Sequence, residues 1–380
     1  MRLKKKVIYI SILCFAFWLI VQFVYSKMVG SLGDQALYLG NASSDKSDLF
    51  SNTNITYRVY NILQYILPGK LSTLVPIAFS SIFLYKTLRV TYKYLSRNEK
   101  FATLAVFFIP HFWIWQAAAS KEAIIIPFGL FLVYIFSKST YFKINNFEKL
   151  MILVSCLFIF LIKPIYLTSY LFIYIAINIE KIINKIKEFK PLRDISPSVF
   201  FLSFSLTSLL LILITYIFFY EKISEYIIVF LMIAKLHFLS NVDASTSRLF
   251  LDFETPGDLL TNLSWALPAS LIGLLPNEIN QNPVLFILFL EGSFSLLLGL
   301  YINFIYLQHV RKTKKSRATY FFGFLPALIL LILIQYLLGI YNIGTSIRYK
   351  QAIIPIIYFF PLYMISLNRL ALRFNIKVRG

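Results

Sequence analysis

A carboxylate just outside an apolar run is the first feature of this sequence that could take part in a reaction. Asp34 follows the apolar run 7–26, and Tyr38 comes one helical turn later, on the same face of a predicted helix. A carboxylate at this depth can remove a proton from a hydroxyl group held at the membrane surface. Aspartate is also a preferred helix cap, so Asp34 can equally be the cap of a juxtamembrane helix.

Two lysines at the ends of apolar runs are candidates for anion binding. Lys121 and Glu122 lie between two runs so close together that they must form a tight hairpin, and Lys163 precedes Pro164 at the end of another run. A lysine ammonium group can bind a phosphate as a point charge. In the alternative interpretation, the Lys121–Glu122 pair neutralises itself at the interface and Lys163 extends its side chain toward water.

The sequence Gly344-Thr-Ser-Ile-Arg348-Tyr-Lys350 is the strongest candidate for an anion site. It lies in the last predicted outer loop, on the side of the membrane where positive charge is disfavoured. The arginine offers a planar pair of donors that suits phosphate oxygens, and the lysine adds a second charge. The partner is therefore either an anionic ligand or an internal carboxylate such as Asp34 or Glu122.

Lesser candidates are Arg248 and Asp258 in a long outer loop, and Glu291 inside an apolar run. An ionisable residue within the membrane is costly and indicates function by default, although Glu291 can also be a buried, hydrogen-bonded residue that specifies helix packing. The sequence contains no glycine-rich phosphate loop and no spaced set of histidines and cysteines. It therefore predicts no cofactor, and it leaves dependence on a divalent metal open.

Composition determines which elements must position these residues. Apolar residues make up 58% of the 380 residues and charged residues 14%. A soluble domain carries about 25% charged residues, and a single core could not bury this much apolar surface. The sequence predicts an all-α, polytopic membrane protein that forms one integral membrane domain over 1–380. The predicted spans are 7–26, 71–88, 101–118, 123–137, 150–163, 165–179, 199–219, 283–306, 319–341 and 352–368.

Two of these predictions have alternatives. The first run is longer than the apolar part of a signal peptide and lacks a cleavage site, which favours an uncleaved helix. The segment 150–179 is either two spans or one helix that is kinked at Lys163-Pro164. The second alternative would invert the orientation of everything that follows.

The distribution of charge predicts the orientation. The net charge is +20, but the basic residues fall in short clusters between apolar runs, which does not favour nucleic-acid binding. Under the positive-inside rule, these clusters place both termini in the cytoplasm. The long loops at about 27–70 and 220–282 are then extracytoplasmic, and the apolar segment 265–276 between prolines is a candidate re-entrant element.

The order of these motifs resembles a known family. Asp34 with Tyr38, Trp115 through Ser-Lys-Glu122, Lys163-Pro164, Pro256-Gly-Asp258 with Leu-Leu-Pro276 and Glu291, and Gly-x-x-x-Arg-Tyr-Lys350 follow one another along nearly the whole chain. This series resembles the Wzy-like polymerases and GT-C-type transferases of bacterial O-antigen and capsule assembly.

That resemblance implies a polymerase reaction at the periplasmic face of the bacterial inner membrane. The implied donor is an undecaprenyl-diphosphate-linked glycan, and the acceptor is a lipid-linked repeat unit. Asp34 would be the base, and Arg348, Lys350, Lys121 and Arg248 would bind the diphosphate. Tyr38, Glu122, Lys163, Asp258 and Glu291 would support them.

The implied partners are the lipid-linked glycans, the bilayer and a protein that regulates chain length, with no nucleic acid. One departure concerns transferases that use polyprenyl-phosphate sugars, which often carry two adjacent acids where this chain has Asp34-Gln35. The alternative functions are such a monosaccharide transferase, and a flippase or transporter of lipid-linked oligosaccharide.

Overall fold

The computed structural model describes residues 15–25, 35–40, 52–186, 255–281, 283–313 and 319–374, and scattered positions between 210 and 248. Within these ranges the chain is helical and contains no β-strand. The predicted all-α class is confirmed for this part of the chain. Asp34, the predicted span 199–219 except for Leu210, and most of the loop 220–254 lie outside the described residues.

The α-helices are numbered here in chain order. They are α1 (helical over 15–25, with a π-helical part at Ile20–Tyr25), α2 (Gln35–Leu39), α3 (Asn52–Ile66), α4 (Leu74–Thr91), α5 (Arg97–Phe107), α6 (Pro110–Ala117), α7 (Lys121–Tyr141), α8 (Asn146–Ile162), α9 (Pro164–Ile186), α10 (Pro256–Thr261), α11 (Leu263–Ile272), α12 (Pro283–Arg311), α13 (Leu325–Gly339), α14 (Ile343–Tyr349) and α15 (Phe360–Arg373).

Five helical segments of the described chain are long and apolar enough to cross a membrane. They are Gly69–Tyr94, Lys121–Tyr141, Leu285–Arg311, Tyr320–Leu337 and Pro355–Arg373. They match the spans predicted at 71–88, 123–137, 283–306, 319–341 and 352–368. A span needs about 20 apolar residues, which these segments supply.

Helix α7 lies at the centre of the bundle. It packs against α4, α8, α9 and α15, so that most of its side chains are buried on every face. A helix that is apolar all round is typical of such a position. Close packing with α9 occurs at Gly129, where a side chain would collide with the hydroxyl group of Tyr170.

The predicted span 101–118 is divided into two helices by Pro110. The backbone of Ile109 is extended, and Pro110 begins α6 in the first-turn position that suits a residue without an N–H group. The Trp113 indole donates a 3.0 Å hydrogen bond to the Phe107 carbonyl near the end of α5. The predicted span is therefore not one continuous helix but two helices that follow one another, because apolar composition does not show where a proline interrupts the backbone.

The segment 150–179 forms two antiparallel helices and not one kinked helix. Phe128 of α7 stacks on Phe158 of α8 at 4.6 Å between ring centroids. Lys138, farther along α7, pairs with Glu148 at the start of α8 at 2.5 Å, so α8 runs antiparallel to α7. Phe136 of α7 contacts Tyr174 of α9, whereas Gly129 contacts Tyr170, so α9 runs parallel to α7. The chain therefore reverses at Lys163-Pro164.

A salt bridge joins α5 to α15 at the end of the bundle opposite this turn. Arg369 donates to both oxygens of Glu99, at 2.5 and 2.8 Å, and to the Tyr94 carbonyl at 3.0 Å. Glu99 also accepts from the Ser96 backbone N–H in a capping box. Burial raises the pKa of Glu99, but the hydrogen bonds from Arg369 and Ser96 outweigh burial and hold this pKa below its usual value.

Replacement of Arg369 by alanine is expected to lower the free energy of unfolding by about 2 kcal/mol, because the Glu99 carboxylate loses two charged donors. The pair contributes fully above the unfolded carboxylate pKa of about 4.3, and its contribution is lost as the pH falls through the lower folded pKa. Thermal unfolding of purified protein tests this, with Arg373→Ala on the same helix as the exposed control. A difference between wild type and Arg369→Ala that stays constant down to acid pH would contradict it.

Candidate functional site

Four side chains from three parts of the chain meet beside the start of α7. The Lys163 ammonium group lies 2.5 Å from Glu122 Oε1, and Arg348 Nε lies 3.9 Å from Glu122 Oε2. The Tyr349 ring lies between the two cations, because both Lys163 and Arg348 lie close to its centroid. We call Glu122, Lys163, Arg348 and Tyr349 the Glu122 cluster. It lies at the end of α7 opposite Lys138, next to the turn between α8 and α9.

Local structure explains how each member of the cluster is held. Ser120 caps α7 by accepting a 3.0 Å hydrogen bond from the Ala123 backbone N–H, which fixes Glu122 in the first turn. An anionic side chain is favourable there, because the unpaired N–H groups of a helix start carry partial positive charge. Lys163 is the C-cap of α8, at the turn into α9. Arg348 lies on α14, and the Asn342 side chain caps the start of that helix by accepting a 2.9 Å hydrogen bond from the Thr345 backbone N–H.

The described side chains of the Glu122 cluster carry two cations and one carboxylate. Glu122 is 1% exposed and Lys163 is 8% exposed, so water screens this pair weakly. The contact to Arg348 is longer than the 2.7–2.9 Å of a strong charge-assisted hydrogen bond. Glu122 thus pairs with Lys163 at hydrogen-bond distance, and Arg348 adds a second positive charge to the cluster.

Aromatic rings enclose both cations. Lys163 Nζ lies 3.3 Å from the centroid of the Tyr349 ring, and the Arg348 guanidinium carbon lies 5.1 Å from it. Arg348 also lies 5.9 Å from the Trp115 ring. The positive charge of Lys163 lowers the pKa of Tyr349, against the effect of burial. This shift is a second sign that the site favours negative charge.

The Trp115 indole is a further donor beside the cluster. Trp115 is 8% exposed, and its N–H group has no hydrogen-bond partner among the described residues. A buried N–H group without an acceptor is unfavourable by about 1–3 kcal/mol. An oxygen atom of a ligand at the Glu122 cluster would supply that acceptor.

Residues of the first long loop form one wall of the site. Lys121 Nζ donates to the Thr53 hydroxyl group at 3.2 Å, so Lys121 turns toward α3 and not toward Glu122. The Tyr60 hydroxyl group accepts from the Ser120 backbone N–H at 3.0 Å. Tyr38 is 1% exposed and stacks on Tyr60 at 6.0 Å. Tyr38 and Lys121 therefore lie on the same side of the α6–α7 connection.

The chain next to Asp34 is anchored at the same connection. Gln35 Oε1 accepts from the Ala119 backbone N–H at 3.1 Å and exchanges hydrogen bonds with Gln22. Gln22 donates in turn to the Ala117 carbonyl at 2.7 Å. Asp34 itself lies outside the described residues, so its role as the base stays a prediction.

Lys350 faces away from Arg348. Its ammonium group donates to the Ile272 carbonyl at 3.2 Å and interacts electrostatically with Glu291. Burial lowers the pKa of Lys350 to about 8. Residues two apart on a helix do not share a face, which is why Arg348 and Lys350 do not form one clamp.

Glu291 belongs to a second buried polar group, beside Lys350. Its carboxylate accepts a 2.8 Å hydrogen bond from the His111 backbone N–H at the start of α6, and it contacts His111 Nδ1 as well. Glu291 therefore joins α12 to α6. This placement matches the alternative interpretation from the sequence, in which Glu291 specifies helix packing.

The remaining two candidates make contacts within the protein. Arg248 is 2% exposed and donates to both Glu278 oxygens at 2.6 and 2.9 Å. Its other donors reach the carbonyls of Gly273, Gly339 and Ile340. Asp258 accepts from the Thr255 backbone N–H at 2.7 Å at the start of α10. The Arg248 guanidinium group thus donates five hydrogen bonds, one for each of its five N–H groups.

The structure thus brings Glu122, Lys163 and Arg348 together, with Lys121 and Tyr38 beside them. It turns Lys350, Arg248, Asp258 and Glu291 toward other partners. Tyr349 and Tyr60 were not among the residues selected from the sequence. Tyr349 lies between the two selected cations in the sequence, which is the signal that could have identified it.

Gly292 allows the close approach of α11 and α12 beside Lys350. A β-carbon at this position would collide with the Ile272 carbonyl oxygen, the acceptor of Lys350. Gly292→Ala is expected to lower the free energy of unfolding by about 1–3 kcal/mol, because the backbone must shift to admit the methyl group. Thermal unfolding compared with Gly257→Ala tests this, since Gly257 has only an ordinary contact. Equal stability of both variants would contradict it.

No group of three or more histidine, cysteine, aspartate or glutamate side chains in the described part of the chain could hold a metal ion. Comparison with known protein families, with curated proteins and with solved structures finds no match. The functional argument therefore depends on the chemistry of the site.

Proposed function

We propose that this chain is a glycosyltransferase of bacterial surface-polysaccharide assembly, of the polymerase type. It transfers glycan from undecaprenyl diphosphate to a lipid-linked repeat unit at the periplasmic face of the inner membrane. The observation that supports this proposal is that two cations, Lys163 and Arg348, meet at the buried carboxylate of Glu122 at one end of the bundle.

The chemistry of the donor matches this arrangement. A leaving diphosphate carries concentrated negative charge, which fixed cations in a poorly hydrated site stabilise more strongly than water does. Arg348 supplies a planar pair of donors and Lys163 a point charge. Lys121 extends the positive charge toward the first loop, and the Trp115 N–H group adds a neutral donor for a phosphate or sugar oxygen.

In the proposed reaction, Asp34 removes the proton from the acceptor hydroxyl group. The hydroxyl oxygen then forms a bond with the anomeric carbon of the donor, and the bond from that carbon to the diphosphate oxygen breaks. The electron pair leaves with the diphosphate, which Arg348, Lys163 and Lys121 stabilise. Glu122 orients Lys163, while Arg248, Lys350, Asp258 and Glu291 hold the surrounding helices.

The architecture proposed with this function is GT-C-like. It has about ten spans, both termini in the cytoplasm, and two long loops in the periplasm at about 27–70 and 220–282. This arrangement puts the Glu122 cluster on the periplasmic side, where lipid-linked substrates are exposed. A protein that regulates chain length is a proposed partner.

Deletion of the gene tests the function, because each candidate function leaves a different product. A polymerase defect leaves complete single repeat units on the outer face of the membrane. Without the monosaccharide transferase, the repeat units would lack one sugar. A flippase defect leaves complete repeat units on the cytoplasmic side, where a glycosidase added to spheroplasts cannot reach them. Long-chain glycan in the deletion strain would contradict all three.

A further inference from the structure

A long apolar groove opens between α4 and the α5–α6 pair. Its volume is about 940 Å³, within the roughly 300–1,000 Å³ range of sites for small molecules. Its wall along α4 is formed by side chains that recur every three or four residues and therefore lie on one face of the helix. The residues that line it from this helix and its 3₁₀ extension are Ser81, Leu84, Tyr85, Leu88, Arg89, Tyr92 and Lys93.

The groove is apolar over most of its length and basic at one end. Leu104 and Phe107 of α5 and Trp113 of α6 form the opposite wall. Arg89 and Lys93 are one helical turn apart on one face, and both are exposed. They lie at the same end of the bundle as the Glu99–Arg369 salt bridge, and so opposite the Glu122 cluster.

We infer that this groove binds an anionic phospholipid of the cytoplasmic leaflet. One acyl chain lies in the groove, and the headgroup phosphate contacts Arg89 and Lys93. Apolar walls with two cations at one end match an amphiphile that has a negatively charged head. Helix α4, which forms one wall of the groove, belongs to the segment Gly69–Tyr94, which is long and apolar enough to cross a membrane, so a lipid chain can lie beside it.

Charge also argues against occupation of the groove by the N-terminal segment of this chain. Phe17 lines the groove, and the segment that precedes Phe17 in the sequence begins Met1-Arg-Leu-Lys-Lys-Lys6. Its positive charge would repel Arg89 and Lys93, whereas a lipid phosphate is attracted. The inference does not rest on the proposed enzymatic activity, and only its assignment to the cytoplasmic leaflet rests on the predicted orientation.

Quenching of Trp113 fluorescence tests the inference. The full chain is placed in nanodiscs of phosphatidylcholine that contain increasing fractions of phosphatidylglycerol with brominated acyl chains. The Trp113→Phe variant gives the background of the other tryptophans. We expect quenching of Trp113 at a lower fraction of brominated phosphatidylglycerol than of brominated phosphatidylcholine.

Charge variants then locate the headgroup. Each juxtamembrane basic side chain strengthens binding of an anionic lipid by about fivefold, so Arg89→Gln with Lys93→Gln is expected to raise the required fraction about 30-fold. Lys143→Gln with Lys149→Gln removes the same charge at the same end of the bundle, outside the groove, and is expected to change nothing.

Three results would overturn the inference. The first is equal quenching by the two lipids, which would mean that the groove does not select a charged headgroup. In the second, the control pair has the same effect as the groove pair, which would indicate general surface charge. The third is no quenching of Trp113 by either lipid, because the groove would then be filled by the protein itself.

Discussion

Arg348→Ala is expected to reduce polymer formation by about 10²–10³-fold, the usual effect of removing one donor that stabilises a developing negative charge. The free energy of unfolding should fall by less than it does when a buried carboxylate is left unpaired, because Glu122 keeps its 2.5 Å contact with Lys163. Surface-glycan length on gels and thermal unfolding of purified protein measure the two effects.

Arg248→Ala is the matched control, because the chemical change is identical. Arg248 is fully occupied by Glu278 and by backbone carbonyls. Its removal leaves a buried carboxylate unpaired and should lower the free energy of unfolding by about 3–5 kcal/mol. Arg348→Lys retains the charge but loses the pair of donors, and is expected to lose much of the activity. Wild-type chain length in both Arg348 variants would remove this residue from the site.

Asp34→Asn is expected to reduce product by about 10²–10⁴-fold, the contribution of a positioned base. Expression and membrane insertion should be unaffected, because asparagine has nearly the same shape. Single lipid-linked repeat units should accumulate, since their synthesis and transfer across the membrane continue. Glycan length and extracted lipid-linked intermediates measure both effects.

The same substitution separates the two interpretations of Asp34. Asparagine caps a helix as well as aspartate does, so a purely structural Asp34 would tolerate the change. Asp45→Asn and Asp48→Asn, in the same loop, control for a general loss of negative charge there. Normal polymer from well-expressed Asp34→Asn would contradict the mechanism proposed for this residue.

Much of the site could be anticipated from the sequence, because membrane burial makes charged residues conspicuous. Glu122, Lys163 and Arg348 were selected separately, each at the end of an apolar run. The alternation of runs and loops brings their ends to one side of the bundle. Glu122 was one of the two internal carboxylates predicted as a partner for Arg348, and in the structure Arg348 Nε lies 3.9 Å from Glu122 Oε2.

Which cation pairs with which carboxylate could not be predicted. Lys121 is adjacent to Glu122 in sequence, yet Lys163 takes the carboxylate and Lys121 turns to Thr53. Such choices depend on how three helices pack, and sequence spacing does not contain that information. Helix geometry, by contrast, separates Arg348 from Lys350, and this could have been read from their spacing.

Photocrosslinking tests the central claim most directly. Purified protein is irradiated with an undecaprenyl diphosphate analogue that carries a photoreactive group next to the diphosphate, and the modified peptides are identified by mass spectrometry. We expect crosslinks to the segments around Trp115 and Tyr349, strongly reduced in Arg348→Ala and retained in Arg369→Ala. Crosslinks that avoid both segments, or that persist unchanged in Arg348→Ala, would contradict a diphosphate site at the Glu122 cluster.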